Sequence, residues 1–172
     1  LVEGFYTILD DVFALRDMDD AADGGKVKER YNGSGATVRG FNVEGRAAFT
    51  RWFELQAGVT LQQSRYKEPE FWSEDAEVPP VRRMFRTPDA YGYFTASFKP
   101  VRNFTADLSG TCTGSMLVQH MAGSGVAQDV AVSTPSFFDM NIRLSYDVRI
   151  YKEITMQLYG GVQNLFNAYQ KD

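Results

Sequence analysis

The stretch Phe138-Asp139-Met140-Asn141-Ile142-Arg143-Leu144-Ser145-Tyr146-Asp147-Val148-Arg149-Ile150 alternates without a break. Every even-numbered residue is apolar or aromatic, and every odd-numbered one is polar or charged. Successive side chains on a β-strand point to opposite faces, so a period of two predicts a strand with one apolar and one polar face. The run is long for a strand of a globular domain and long enough for a tilted strand that crosses a bilayer.

The same period recurs on both sides of this stretch. Phe53, Leu55, Ala57, Val59 and Leu61 alternate with Glu54, Gln56, Gly58, Thr60 and Gln62. Phe104, Ala106, Leu108, Gly110 and Cys112 alternate with Thr105, Asp107, Ser109, Thr111 and Thr113. Ile154, Met156, Leu158 and Val162 face away from Thr155, Gln157, Tyr159 and Gln163, and Phe41, Val43, Ala47 and Phe49 away from Asn42, Glu44 and Arg46. Residues 90–99 predict a shorter strand with Phe94, Ala96 and Phe98 on its apolar side. Leu1 to Leu9 is apolar on both faces and shows no parity. The expected fold is therefore all-β, an antiparallel up-and-down meander of about seven strands. Its connections alternate strictly: short at Thr50–Trp52, Pro100–Asn103 and Tyr151–Glu153, long and polar at Asp10–Gly35, Lys67–Asp89 and Ala122–Ser136. All six prolines are placed in connections, where the missing N–H costs no ladder bond.

Composition narrows the function classes. The chain has 172 residues, 44% hydrophobic and 14% aromatic, enough for an ordered domain. With 18 basic and 22 acidic residues the net charge is -4, which offers no electrostatic footprint for nucleic acid. One cysteine and one histidine exclude a disulfide framework and the cysteine- and histidine-rich metal motifs. No run of 18 apolar residues exists to form a membrane helix, and the opening residues do not resemble a signal peptide. The mean hydropathy of -0.32 is compatible with a membrane barrel, whose strands spend only alternate residues on lipid.

Alternation does not say whether the apolar face meets a core or lipid. A soluble β-barrel or β-sandwich binding module, lipocalin-like or carbohydrate-binding with Trp72 as a stacking residue, would show the same period. Three features favour lipid: the strict alternation of short and long connections, the aromatics beside each short turn (Phe49, Trp52, Phe53, Phe98, Phe104, Tyr151), and a polar face carrying Arg, Asp, Glu and Gln at several levels.

The segment Gly160-Gly161-Val162-Gln163-Asn164-Leu165-Phe166-Asn167-Ala168-Tyr169 resembles the penultimate-strand signature of TonB-dependent outer-membrane receptors. Glu3-Gly4-Phe5-Tyr6-Thr7-Ile8-Leu9-Asp10-Asp11, Gly40-Phe41-Asn42-Val43-Glu44 and Arg86-Thr87-Pro88 are similar to strand and loop segments of the same barrels. The resemblance implies that residues 1–172 are the C-terminal segment of a 22-stranded transmembrane β-barrel, with the plug domain and the final strand outside this sequence. It implies a bacterial outer-membrane location and energised import of a nutrient such as a ferric siderophore, haem, cobalamin or a glycan. The implied partners are that ligand at the extracellular loops, outer-membrane lipid, and the energising TonB complex through an N-terminal region not included here. The isolated chain, with two open edges, is expected to self-associate.

No nucleophile–base pair, phosphate loop or metal-ligand spacing is present, so neither catalysis nor a cofactor is expected. Within the long connections, Trp72, Arg82 and Arg83 are the candidate ligand-binding residues, since an aromatic face and guanidinium forks suit a planar or anionic ligand. The ordinary alternative for all three is loop packing and solvated charge. Cys112, Met116 and His120 share strand parity near the loop end of one strand. Four-residue steps on a strand are about 13 Å apart, too far for one ion. Asn164 and Asn167 read as residues that shape a strand end.

Overall fold

The computed structural model describes residues 1–18, 27–73, 75 and 77–170, with side chains at 14–18 and 27–29 left undescribed. Part of the first long connection (19–26) and the end of the chain (171–172), where the sequence places a last outer loop, lie outside the described residues. Twelve strands are described: β1 Val2–Leu9, β2 Phe13–Met18, β3 Val27–Asn32, β4 Ala36–Thr50, β5 Phe53–Glu70, β6 Val81–Arg83, β7 Ala90–Val101, β8 Phe104–Thr113, β9 Leu117–His120, β10 Val130–Ser133, β11 Phe137–Tyr151 and β12 Ile154–Val162. Seven form one antiparallel sheet in the order β1-β4-β5-β7-β8-β11-β12, with β6 beside the outer part of β5. Consecutive long strands are neighbours throughout, which is the expected meander. β2–β3 and β9–β10 are separate hairpins inside two of the long connections.

The register assigns every strand to its faces. Ala47, Leu55, Ala96, Leu108, Ile142 and Val162 stand in one row across six strands. One residue along, Arg46, Gln56, Thr95, Ser109 and Asn141 stand in the next row, on the opposite face. The parity missing from the first nine residues is supplied by pairing: Val2, Gly4, Tyr6 and Ile8 stand opposite Val43, Phe41, Arg39 and Thr37. They therefore share the face of Phe41 and Val43.

The three short connections are two-residue turns (Arg51-Trp52, Arg102-Asn103 and Lys152-Glu153), and each is followed or preceded by a shift in register. Two prolines correct the sequence reading, because Pro69 lies in β5 and Pro100 in β7. Both sit where the ladder is irregular, between Arg65 and Glu70 and between Phe98 and Val101, so neither removes a regular ladder donor.

Among the described residues, no second layer covers the apolar face of the sheet. Among the described residues only Ala36 and Ala96 are buried apolar side chains. The accessible surface is 12220 Å², against about 8500 Å² expected for a compact protein of this mass. In β4 and β5 the usual burial order is inverted: Phe41, Val43, Val59 and Leu61 are exposed, while Asn42, Glu44, Thr60 and Gln62 between them are half-buried. An apolar face left open while the polar face is partly covered is what a membrane barrel requires. It is the reverse of a soluble barrel.

Two glycines let aromatic rings lie flat on the sheet. A Cβ at Gly110 would come within 2.9 Å of Phe94 Cζ on the apolar face, and one at Gly58 within 2.6 Å of the Tyr93 ring on the polar face. Each ring fills the space above a neighbouring strand where no side chain stands.

Candidate ligand-binding loops and the polar face

The polar face is knitted by cross-strand hydrogen bonds. Thr60 Oγ1 donates to Asn42 Oδ1 at 2.8 Å, and Gln56 Nε2 donates to Glu44 at 2.9 Å and to Tyr93 Oη at 3.2 Å. Ser97 Oγ donates to Asp107 at 2.6 Å, and Gln157 Nε2 to Asp147 at 2.9 Å. Such part-buried and exposed hydrogen bonds each contribute only about 1 kcal/mol net. Their effect is to line this face of the sheet with ordered donors and acceptors. Toward β12 this wall opens into a cleft of about 750 Å³ containing Asp107, Asn141, Arg143 and Tyr159, with the Arg143 guanidinium 4.7 Å from the centre of the Tyr159 ring.

At the short-turn end, the apolar face carries an aromatic cluster. Phe53 stacks on Phe98 at 4.8 Å and on Phe49 at 5.5 Å, and Trp52 lies 6.1 and 6.5 Å from Phe53 and Phe98. Amphipathic and aromatic rings at one level suit a bilayer interface.

At the other end the long connections are built, and they hold one another. Phe85 bridges Leu117, and the Arg86 N–H donates to the Leu117 carbonyl at 2.7 Å. Ser73 Oγ donates to Asp129 Oδ2, and the Ala122 N–H to Asp129 Oδ1, each at 2.7 Å. The connections 71–89 and 114–136 are thereby one layer. The first long connection joins β5 separately, through Tyr31 Oη donating to Glu70 Oε1 at 2.7 Å and an ion pair between Lys67 and Asp10.

The three residues singled out in the sequence occupy different surroundings. Trp72 meets Phe85 edge-on at 5.5 Å, and its buried Nε1 has no partner among the described residues. Arg83 donates from Nη2 to the Ser115 carbonyl at 2.6 Å and pairs with Asp89 at 3.2 Å, while its buried Nε also lacks a partner among the described residues. Arg82 points the other way, as alternation along β6 demands. It is exposed, lies 3.7 Å from Glu68, and lines a cleft with Arg39 and Arg65. The structure thus places Trp72 and Arg83 in the joined loop layer and Arg82 outside it. His120, in β9 of the same layer, carries another buried nitrogen, Nε2, without a partner among the described residues.

β8 ends at Thr113, so the parity assumed for Cys112, Met116 and His120 does not hold. Met116 lies in the connection, where it accepts from the Thr134 N–H, and His120 lies in another hairpin. No group of three or more metal-ligating side chains occurs among the described residues. Asn164 and Asn167 adopt φ of 51° and 50°, a left-handed conformation that asparagine tolerates. The Asn164 side chain accepts from the Ala168 N–H at 2.7 Å and donates to the Ala168 carbonyl at 3.0 Å, closing the chain after β12.

Asp129 was not legible in the sequence, yet it ties the two loops. Its carboxyl is held below the usual carboxylate range, first by the Ala122 N–H and then by the Ser73 hydroxyl. The folded value lies below the unfolded one of about 3.9, so the tie contributes fully above the unfolded value and is lost as pH falls through the folded value. Asp129→Ala is expected to speed proteolytic cleavage within 114–136 near neutral pH, and acidification of the wild type below about pH 3.9 to do the same. Limited proteolysis with mass mapping, using a protease active across this range, checks both.

No family model matches this sequence, and no curated protein matches it. Among solved structures, the chain is similar to the crystal structure of the ferric-catecholate import receptor Fiu from E. coli K12, in its closed form, with a TM-score of 0.64 and 17% identity. The match covers 96% of this chain and 20% of the receptor chain, so the sequence spans about a fifth of that protein's length. The likeness supports the fold.

Proposed function

We propose that this chain is part of the transmembrane β-barrel of a bacterial outer-membrane receptor, one that captures a scarce nutrient at its outer loops for TonB-dependent import. The observation that carries the reading is the two-faced sheet, its apolar face exposed and its polar face hydrogen-bonded, in an arrangement shared with an import receptor over 96% of the chain. The short turns then face the periplasm and the joined long connections the exterior. In this reading the chain forms about seven strands of a 22-stranded barrel, and a plug and an N-terminal segment that contacts the energising complex belong to the rest of the protein. No catalysis is involved.

The captured nutrient is a ferric siderophore, haem or cobalamin. The neighbour's ferric catecholate makes the anionic siderophores the first class to try. Trp72 Nε1, Arg83 Nε and His120 Nε2 are buried nitrogens without partners among the described residues, and an anionic ligand seated in the loop layer would supply the acceptors they lack. Removing both Trp72 and Arg83 by alanine substitution is expected to weaken binding of a ferric tris-catecholate probe to the full-length receptor by about tenfold or more. Arg82→Ala, outside the loop layer, should leave it nearly unchanged. Fluorescence titration of the three proteins decides this, and equal affinities would remove the loop layer as the capture site.

A further inference from the structure

On the apolar face, the rows change character abruptly at the long-connection end. Gly4, Phe41, Leu61 and Ala90 form the last apolar row. The next row on the same face is Tyr6, Arg39 and Gln63, and beyond it stand Ile8, Thr37 and Arg65. These residues surround a cleft of about 230 Å³ walled by Tyr6, Arg39, Gln63, Arg65, Lys67 and Arg82.

The charge in this cleft is only half compensated. Lys67 pairs with Asp10 and Arg82 approaches Glu68. Among the described residues, Arg39 donates only to the neutral Gln63 side chain, from Nε at 3.1 Å and Nη2 at 2.7 Å, and Arg65 has no side-chain partner. Four cations thus stand against two carboxylates. Arg39, Gln63 and Arg65 stand on the face of Phe41 and Leu61, opposite the hydrogen-bonded polar wall, so cargo moving along that wall would not meet them.

We infer that this cleft binds the phosphorylated headgroup of a lipid in the outer leaflet, whose acyl chains lie on the apolar row of Phe41 and Leu61 directly below. The inference rests on the membrane reading of the preceding section. Its chemistry is that of guanidinium forks on phosphate oxygens, with Tyr6 placed as a further donor at the rim. A cationic cluster just beyond an apolar band is where an anionic headgroup gains most from neutralisation.

The test uses the full-length protein carrying this segment, reconstituted in detergent micelles and titrated with phosphatidic acid or phosphatidylcholine of the same chains. Bound lipid is counted by native mass spectrometry. The wild type should retain phosphatidic acid over phosphatidylcholine, and Arg39→Gln with Arg65→Gln should lower that affinity by about thirtyfold. Arg39→Lys with Arg65→Lys should keep most of it. Equal retention by the glutamine pair overturns the inference while leaving the barrel reading intact. Full displacement by inorganic phosphate also overturns it, as a site for a soluble anion. If the glutamine pair does not fold, as judged by heat-modifiable gel migration, raising the salt on the wild type must release phosphatidic acid selectively; no release overturns the inference. A wild type that stays in water and takes up neither lipid would defeat the membrane reading as well.

Discussion

Arginine at Leu108 is expected to prevent stable insertion of the barrel, while arginine at Ser109, one residue along β8, is expected to be tolerated. Leu108 stands in the middle apolar row with Ala96 and Ile142, and Ser109 stands in the polar row with Thr95 and Asn141. A charge on the lipid face near the bilayer midplane costs about 2–4 kcal/mol, which is about thirtyfold or more in the folded population. On the opposite face the same side chain reaches water and the carboxylates of Asp107 and Asp139. Urea titration of the reconstituted protein, followed by tryptophan fluorescence, compares the two variants directly. In a soluble β-domain with the apolar face inside, Leu108→Arg would also destabilise, so the pair is informative only in lipid vesicles.

The second large effect is expected at Gly110. An alanine there drives its methyl into the Phe94 ring, which is packed over the glycine from the adjoining strand. Overpacking of this kind costs about 1–3 kcal/mol, because the ring must leave its place or β8 must shift. Gly45→Ala is the matched control. It faces the same side, has no neighbour within 4 Å of the added carbon, and should be neutral or stabilising by a few tenths of a kcal/mol, about the gain from a less flexible unfolded chain. Opposite signs for two Gly→Ala changes, read from urea midpoints, would show that Phe94 is seated as described. Equal effects would show that it is not.

The sequence was most informative wherever a strand separates two different surroundings. Between Phe138 and Ile150, and between Phe53 and Leu61, each residue faces either the apolar or the polar side, and the pattern is written in residue type alone. It fades where that contrast ends. β5 continues through Gln62, Gln63, Ser64 and Arg65 to Glu70, but both faces there are polar, so the alternation gives no sign of a strand and Pro69 suggests a break. In β1 the reverse holds, since Phe5 and Leu9 place apolar groups on the polar side, and only pairing with β4 settles its parity. The hairpin β9–β10 has four-residue strands that depend on their partner, and no local signal separates them from loop.

The candidate site was legible only in outline. That Trp72 and Arg83 belong together follows from the connection that contains them. That Arg82 belongs elsewhere follows from β6 being extended, and three residues are too few for a sequence period to show it. Asp129 and Ser73 are 56 positions apart, and Arg39 and Arg65 meet across a strand pair. Contacts of that range are set by register, which a residue pattern fixes only in part.

The central claim is that the apolar face of the sheet meets lipid. Each residue from Phe138 to Ile150 can be replaced in turn by a spin-labelled cysteine, with Cys112, the chain's one cysteine, changed to serine. In vesicles of the full-length protein, the even-numbered positions should collide most with membrane-dissolved oxygen and the odd-numbered ones with a water-soluble nickel chelate. Even-numbered positions shielded from both reagents, as in the interior of a soluble β-domain, would contradict the account.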